Sequence, residues 1–261
     1  MRRLLVPALV LMATLLARPA AAQTLKRETV DRLKAATVFI QVSQRDYLSG
    51  DEEVASGSGF FFHPNGFVVT NWHVVRPFGV GFIELPLPRE LTRIKVFINS
   101  GTLEEEVVDA ALVAVDKEAD LAILATPKRN VTCLEAGRVE DLMETSPLWV
   151  VGFPLGEKFA IIERGPEVTL GRGTVTALRH DDQGKLQVIQ TDAQFDSGNS
   201  GGPLTNAEGR VLGIAQSIVV NTRSLNFAVP VTAAVALLEQ ARPNQPQPPK
   251  GKVTFCATPD A

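Results

Sequence analysis

The chain has 261 residues, of which 45% are apolar and 21% charged, and its formal net charge is −3 at pH 7. This composition supports a sizeable core and excludes a largely disordered chain. Basic residues are scattered among acidic ones and form no basic stripe, so no nucleic-acid-binding surface is expected.

Residues 1–22 have the pattern of a secretory signal peptide. Met1-Arg2-Arg3 precedes an apolar stretch from Leu4 to Leu16, and small residues follow up to Ala22. This order predicts export with cleavage after Ala22. The apolar stretch is too short for a membrane span, and no later stretch is apolar for long enough. We therefore expect a periplasmic or secreted protein without a membrane span.

Short strands dominate the remaining pattern. Thr29 to Ala36 predicts a helix, which leads into a strand at Thr37 to Val42. The turn His63 to Gly66 separates strands at Phe60 to Phe62 and Phe67 to Thr70, which predicts a hairpin. Further strands are predicted at residues 94–98, 106–115, 121–125, 148–152, 167–178, 186–191, 211–218 and 224–229. Many short strands at this spacing indicate a β-barrel or a β-sandwich.

The C-terminal part of the chain has less pattern. Val231 to Ala241 predicts a terminal amphipathic helix, and the proline-rich segment 242–261 is expected to be an extended tail. Cys133 and Cys256 are the only cysteines, and an oxidising compartment would permit them to pair. The sequence leaves this disulfide open, because it does not supply the distance between the two residues. Two cysteines do not make a metal site.

One serine lies in a glycine-rich turn, Gly198-Asn199-Ser200-Gly201-Gly202-Pro203-Leu204. Glycines allow positive φ and bring backbone N–H groups close to a reacting carbonyl, which is what an oxyanion hole requires. A serine hydroxyl is a poor nucleophile near neutral pH unless a base accepts its proton and a third group orients that base. Ser200 is therefore the candidate nucleophile.

The chain has three histidines, so the base can be sought by elimination. His63 lies in the hairpin turn, where we expect an exposed loop residue, and His180 lies at a polar hairpin tip. Both are expected to be structural or solvent-facing. His73 follows an apolar strand and is expected at the end of that strand. We therefore predict that His73 is the base for Ser200.

Aspartates are plentiful, so the acid has to be chosen by its context. Asp120 is a lone carboxylate at the start of an apolar strand, where it can be partly buried and hold an imidazole. Asp109 and Asp116 are alternatives, but their surroundings are more polar, as expected for solvated turn or edge residues. Asp120 is the predicted acid.

The order of the candidates along the chain separates unrelated hydrolase folds. Gly198-x-Ser200-x-Gly202 also matches the nucleophile elbow of α/β-hydrolases, but there the acid and the histidine follow the serine. No histidine follows Ser200. The order His73, Asp120, Ser200 is that of chymotrypsin and differs from that of subtilisin. The strand-rich pattern agrees, because an α/β-hydrolase alternates strands and helices.

Several separated motifs share the order and spacing of one known family. They are Ser58-Gly59-Phe60, Thr70-Asn71-Trp72-His73-Val74-Val75, Asp120-Leu121-Ala122-Ile123-Leu124, Gly152-Phe153-Pro154-Leu155-Gly156, Thr191-Asp192-Ala193, the serine turn, and Asn226-Phe227-Ala228-Val229-Pro230. Over roughly Thr29 to Ala241 the chain resembles the trypsin-like peptidases of the bacterial HtrA (Deg) family. The resemblance implies an all-β, chymotrypsin-like double β-barrel within a protease domain at residues 23–241. The barrels would span about residues 29–126 and 142–230, with the active site in the cleft between them.

The resemblance also implies a mechanism and a substrate class. It implies a serine endopeptidase that cleaves misfolded or partner proteins in the cell envelope through an acyl-enzyme. The oxyanion hole would lie at Gly198, Asn199 and Ser200. No metal and no organic cofactor are needed, and a homo-oligomer is compatible with the family. The alternative is a polypeptide-binding or chaperone-like module on a protease fold, with little hydrolysis.

The specificity pocket is predicted from the same resemblance. Gln194 stands where trypsin has an aspartate at the pocket floor, so no strong preference for Lys or Arg is expected. Ala215, Gln216 and Phe227 are expected to help line the pocket, with small or medium aliphatic residues before the scissile bond. Such a pocket separates similar side chains by only about 1 to 3 kcal/mol, so the preference should be loose.

Three features depart from the family pattern. Typical members carry PDZ domains after the protease domain, and this chain ends too early for one, so no PDZ groove is expected in cis. Phe195-Asp196-Ser197 adds a negative charge beside the expected oxyanion loop. Residues 76–93 are rich in proline and phenylalanine and are expected to form either a gating or assembly loop or a variable surface loop.

Overall fold

The structure is a computed structural model and describes residues 24–45, 52–76, 92–154, 156, 164–196, 198–216, 226–241 and 256. The predicted signal peptide, the predicted tail apart from Cys256, and most of the loop at residues 76–93 lie outside the described residues. The described elements are α1 (Arg27–Ala36), β1 (Thr37–Arg45), β2 (Glu52–His63), β3 (Phe67–Asn71), α2 (Trp72–Val75), β4 (Thr92–Ile98), β5 (Glu106–Asp116), β6 (Leu121–Ala125), a 3₁₀ turn (Val139–Asp141), β7 (Pro147–Gly152), β8 (Thr169–His180), β9 (Leu186–Thr191), β10 (Pro203–Thr205), β11 (Val211–Gln216), β12 (Asn226–Pro230) and α3 (Val231–Gln240).

The strands close into two antiparallel barrels. The first has the strand order β1-β2-β3-β6-β5-β4, and the second has the order β10-β11-β12-β9-β8-β7. Each barrel is built mainly from neighbours in the chain, which suits short strands joined by turns. The predicted double β-barrel is confirmed.

The two barrels pack tightly along β1. Val38, Ile40 and Val42 point into the core of the first barrel. Phe39 points the other way and is fully buried, with its ring centroid 5.5 Å from that of Phe153, just after β7. Because the second barrel covers its outer face, β1 has buried residues on both faces instead of the alternation of a half-exposed strand.

Both long helices cover a core that the barrels share. Leu33 of α1 and Leu237 of α3 belong to one cluster of buried residues with Phe60 and Leu121 of the first barrel and Ile214 of the second. Burying an apolar stripe of each helix against both barrels fixes the position of one barrel relative to the other. Among the described residues, no helix is long and apolar enough to cross a membrane.

One strand is absent from the sequence-based prediction. β10 has only three residues, begins with Pro203 and follows the glycine-rich turn directly. It pairs with β7 and β11, both distant in sequence. Three residues are too few to show a period-2 pattern, so the strand has no local sequence signal.

Cys133 and Cys256 form a disulfide, with their Cα atoms 5.7 Å apart. Both side chains are 7% exposed and belong to the core cluster of the first barrel. The disulfide, which the sequence leaves open, therefore ties residue 256 to this barrel.

Replacing both cysteines by alanine is expected to lower the free energy of unfolding by about 2–4 kcal/mol. The disulfide joins residues 123 positions apart, so it restricts a long loop of the unfolded chain. Urea unfolding of wild type and of the double variant measures the difference. A reductant should produce the same loss in wild type and none in the variant. An unchanged free energy of unfolding would contradict the prediction.

Candidate active site

Asp120 lies in the turn between β5 and β6, immediately before β6 begins. Its φ is +54°, in the left-handed region that residues other than glycine rarely adopt and that Asp and Asn tolerate best. Its carbonyl oxygen accepts hydrogen bonds from the backbone N–H of Trp72 at 3.1 Å and from the side-chain amide of Asn71 at 2.9 Å. These two hydrogen bonds hold the turn against the junction of β3 and α2.

His73 is held at two points by the carboxylate of Asp120. It lies in α2, a one-turn helix after β3, and not at the strand end that the sequence predicts. Its backbone N–H donates to Oδ1 of Asp120 at 2.8 Å, and its ring Nδ1 lies 2.6 Å from Oδ2. An ionised carboxylate only accepts hydrogen bonds, so Nδ1 carries the proton and Nε2 is left as the basic nitrogen.

Gln216, the last residue of β11 in the second barrel, reaches the same carboxylate. Its side-chain Nε2 donates to Oδ2 of Asp120 at 3.0 Å. The sequence predicts Gln216 in the specificity pocket and carries no sign of this contact across the two barrels. Asp120 therefore receives hydrogen bonds from both barrels.

These donors keep Asp120 ionised. Burial by itself would raise its pKa, but the hydrogen bonds and the charge of His73, together with the Gln216 amide, lower the pKa below the ordinary aspartate value. A lowered pKa in the folded state means that ionised Asp120 stabilises the fold above its ordinary pKa. This contribution is lost as the pH falls through the lowered value.

The turn that carries Ser200 is held between the barrels. The carbonyl of Ser200 accepts a hydrogen bond from the N–H of Ser58 in β2 at 2.8 Å. The N–H of Gly201 donates to the carbonyl of Ala215 at 2.9 Å, and the N–H of Ala215 donates to the carbonyl of Gly202 at 2.9 Å. Gly201 has a φ of +87°, and a Cβ there would overlap the carbonyl oxygen of Ser58. Glycine is required at this point by both its conformation and the available space.

The Ser200 turn lies close to the segment that carries His73. A Cβ at Gly201 would lie 3.1 Å from the backbone nitrogen of Asn71, two residues before His73. A Cβ at Gly57 would lie 2.7 Å from the side chain of Val74 and 3.2 Å from the carbonyl oxygen of Ser200. The Ser200 turn therefore packs against Asn71, and Gly57 lies between the Ser200 carbonyl and Val74, the residue after His73. Ser200 is 5% exposed, whereas the His73 side chain is 35% exposed.

The predicted oxyanion residues form a tight turn. Gly198 has a φ of +107°, which favours glycine. The backbone N–H of Asn199 donates to the carbonyl of Asp196 at 3.0 Å, so this N–H is engaged inside the turn. We therefore consider the N–H groups of Gly198 and Ser200, and not that of Asn199, for the oxyanion hole.

The predicted pocket residues do not share one environment. Gln194 is exposed and precedes the Ser200 turn. Ala215 is fully buried and forms backbone hydrogen bonds with Gly201 and Gly202 of that turn. Phe227 is half-buried on β12, where it pairs in register with Gln216.

The alternative acids and bases have other surroundings. Asp116 accepts the backbone N–H groups of Glu118 and Ala119 and so caps the turn before Asp120. Asp109 pairs in register with Lys95 on the neighbouring strand. His180 is exposed at the end of β8.

His63 differs from expectation, since it is buried with 7% exposure and is not an exposed loop residue. Its Nδ1 accepts the N–H of Asn65 at 3.1 Å, and its ring lies edge-on to that of Phe67. It therefore has a structural role in the hairpin. No cluster of three or more His, Cys, Asp or Glu residues that could hold a metal occurs among the described residues.

The chain resembles known proteins in both sequence and structure. Residues 57–214 match the family model described as a trypsin-like peptidase domain. The chain is 31% identical over 204 residues to serine protease HTRA1B of Danio rerio, covering 78% of this chain and 38% of the relative. It is 32% identical over 211 residues to mitochondrial serine protease HTRA2 of Bos taurus, covering 78% of this chain and 40% of the relative.

The chain thus spans about two fifths of the length of these relatives. Among solved structures, the crystal structure of Deg5 matches with a TM-score of 0.61 and 27% identity, covering 80% of this chain and 90% of that chain. The fold is therefore the chymotrypsin-like double barrel that the sequence predicts. With a family match that extends from β2 to β11 and relatives among the HtrA and Deg proteases, the chain belongs to the trypsin-like peptidase family.

Proposed function

We propose that this protein is an exported serine endopeptidase that uses Ser200 as nucleophile, His73 as general base and Asp120 as the acid that orients His73. The contact that carries the proposal is the 2.6 Å hydrogen bond between His73 Nδ1 and Asp120 Oδ2. This bond fixes the tautomer in which Nε2 can accept a proton. The lowered pKa of Asp120, from its His73 hydrogen bonds, keeps the carboxylate ionised against its burial.

The proposed reaction is acyl transfer. The Ser200 proton moves to Nε2 of His73 as Oγ bonds to the peptide carbonyl carbon, and the backbone N–H groups of Gly198 and Ser200 stabilise the resulting oxyanion. The C–N bond then breaks, and His73 gives its proton to the leaving amine. A water molecule attacks the acyl-enzyme while His73 takes its proton, and Ser200 regains a proton as the acid is released.

The proposed substrates are misfolded or partner proteins in the cell envelope. This location rests on the signal-peptide pattern of residues 1–22. The cleavage preference we propose is for small or medium aliphatic residues, since Gln194 supplies no charge to bind Lys or Arg. Sequencing the N-terminus of the exported protein tests the location, and a terminus at Gln23 is expected.

The activity is tested with the full chain and a fluorophosphonate probe, with unfolded casein as a protein substrate. We expect labelling of Ser200 and cleavage of casein, and neither in the Ser200→Ala variant. The alternative binding module predicts a different result, namely that casein is bound but stays intact and that the wild-type protein is not labelled. That result would reject the peptidase proposal.

Replacing Gln216 by alanine is expected to lower kcat by about 10-fold, because one hydrogen bond to a charged group contributes on the order of 1.5 kcal/mol. The lost donor should also raise the pKa of Asp120, so the loss of activity that comes from protonation of Asp120 should begin at higher pH. Initial rates from about pH 2.5 to about pH 6 on a peptide substrate measure both effects, because this range lies on both sides of the ordinary Asp pKa of about 3.9.

Gln187→Ala is the matched control for Gln216→Ala. Gln187 donates to Asp181 at 2.7 Å in an exposed hairpin, so this variant also removes an amide from an aspartate. It should leave both kcat and the pH profile unchanged. Equal effects of the two variants would show that the Gln216 contact has no special role.

A further inference from the structure

Ser58 contacts the predicted oxyanion segment through both its side chain and its backbone. It lies in β2 of the first barrel and is fully buried. Its hydroxyl lies 2.6 Å from the carbonyl oxygen of Gly198, and its backbone N–H donates to the carbonyl of Ser200 at 2.8 Å. Gly198 and Ser200 are the two residues whose N–H groups we assign to the oxyanion hole.

The direction of each hydrogen bond at the Ser58 hydroxyl is fixed. The N–H of Phe153, in the second barrel, donates to Oγ at 3.0 Å. A carbonyl only accepts, so the single hydroxyl proton of Ser58 is donated to Gly198. The carbonyl of Ser58 in turn accepts the hydroxyl of Thr70 at 2.7 Å. Ser58 is therefore held from two sides while it holds the turn.

Close packing leaves the turn little room to move away from Ser58. Because Gly201 has no side chain, the backbone of the turn can lie directly against the carbonyl of Ser58. A Cβ at Gly152 would lie 2.8 Å from the Ser58 hydroxyl, and one at Gly202 would lie 3.3 Å from its Cβ. These glycines allow backbone from the second barrel to surround a first-barrel side chain.

Holding the two carbonyls restricts the neighbouring N–H groups of the same segment. A peptide group is planar, so the directions of the Gly198 and Ser200 carbonyls fix the planes of the 198–199 and 200–201 peptides, which flank the peptide that carries the Ser200 N–H. Gly198 has φ of +107° and the conformational freedom of glycine, so without a contact at its carbonyl its own N–H can rotate. Oxyanion donors act only within about 2.7–3.1 Å of the developing charge, so a small rotation weakens them.

We propose that Ser58 is a positioning residue for the oxyanion hole, acting through the carbonyls of Gly198 and Ser200. It is not a catalytic residue, since it acts through the turn and not on the substrate. The inference rests on the proposed function and adds a first-barrel residue to a hole built from second-barrel backbone.

The test compares Ser58→Ala and Ser58→Cys with wild type on a peptide substrate, with kcat expressed per fluorophosphonate-labelled site. We expect Ser58→Ala to lower kcat by about 10- to 100-fold, somewhat below the loss of a whole oxyanion donor, with KM nearly unchanged. Affinity for a peptide aldehyde, which places an oxyanion in the hole, should fall by the same factor. Ser58→Cys keeps the side-chain size with a weaker donor and should show a smaller loss.

Ser100→Ala is the matched control. Ser100 is also a buried serine, and its hydroxyl donates to the carbonyl of Pro166 at 2.8 Å, outside the Ser200 turn. This variant should lose stability without loss of kcat per labelled site. The pH profile of Ser58→Ala should keep the wild-type acid limb, because the contacts of Asp120 are intact.

Three outcomes would overturn the inference. One is a Ser58→Ala protein with wild-type kcat per labelled site and wild-type aldehyde affinity. Another is unfolding of both Ser58 variants while Ser100→Ala folds, which makes Ser58 a residue needed for folding only. The third is a wild-type protein that is neither labelled nor active, which rejects the peptidase proposal as well. Wild-type activity that is abolished by Ser200→Ala separates the first two outcomes from the third.

Discussion

Ser200→Ala is expected to lower kcat by about 10⁶-fold, the largest effect of any single substitution in this protein. The change removes the oxygen that forms the proposed acyl-enzyme. The fold should be retained, because alanine is smaller than serine and the turn is held by backbone hydrogen bonds of Ser200, Gly201 and Gly202. Initial rates on a peptide substrate and thermal unfolding of the same preparation measure the two properties.

Ser146→Ala is the control for Ser200→Ala. The hydroxyl of Ser146 accepts the N–H of Met143 at 3.1 Å in a turn before β7. Its loss should leave kcat within about twofold of wild type, as for a surface change away from the site. Retention of more than about one hundredth of wild-type activity by Ser200→Ala would exclude Ser200 as the nucleophile.

Asp120→Asn is expected to lower kcat by about 10⁴-fold, the loss typical of a serine triad without its acid. Asparagine is the best replacement for a clean test, because it is isosteric and tolerates the positive φ of residue 120. Alanine at this position would add backbone strain and complicate the comparison. The Asn variant therefore isolates the chemistry of the carboxylate.

The contacts of Asp120 indicate which form of the Asn variant will dominate. The carboxylate accepts from the backbone N–H of His73, from His73 Nδ1 and from the Gln216 amide. An asparagine amide can accept the His73 N–H with its oxygen and donate with its NH₂ to Nδ1, while the Gln216 amide turns over to accept. Every hydrogen bond is then satisfied, but His73 carries its proton on Nε2. In this tautomer His73 cannot accept the proton of Ser200.

Asp116→Asn is the matched control for the acid. Asp116 is an alternative acid in the sequence and caps the turn that leads to Asp120. Its replacement should change kcat by less than about twofold and leave stability nearly unchanged, since Asn caps about as well as Asp. If Asp116→Asn showed the 10⁴-fold loss and Asp120→Asn did not, the assignment of the acid would be reversed.

The sequence predicts a strand or helix well where the residues of that element and its borders carry the signal. The strands Leu121–Ala125 and Leu186–Thr191 were predicted with the bounds that the structure has, because turn residues border short runs of strand-forming residues. The helices α1 and α3 were predicted within two residues at each end. β10 was missed, because its three residues are in a strand only through pairing with β7 and β11.

The candidate site also contains residues with a local sequence signal and residues whose role depends on long-range contacts. His73, Asp120 and Ser200 were predicted from their immediate neighbours, their order along the chain and the resemblance to HtrA proteases. The contacts of Ser58 with Gly198 and of Gln216 with Asp120 were not predicted, although both residues belong to segments that the sequence singles out. Their contacts join residues far apart in the chain, 140 positions from Ser58 to Gly198 and 96 from Gln216 to Asp120.

The sequence by itself determined the family, the order of short strands and the three residues of the proposed triad, because these depend on residue types and on short-range pattern. The tertiary structure alone decided how Asp120 is held by both barrels, how Ser58 contacts the oxyanion segment, and that Cys133 and Cys256 pair. Each of these is a contact between elements that the closure of two barrels brings together. A linear pattern carries the chemistry of such residues but not the distance between them.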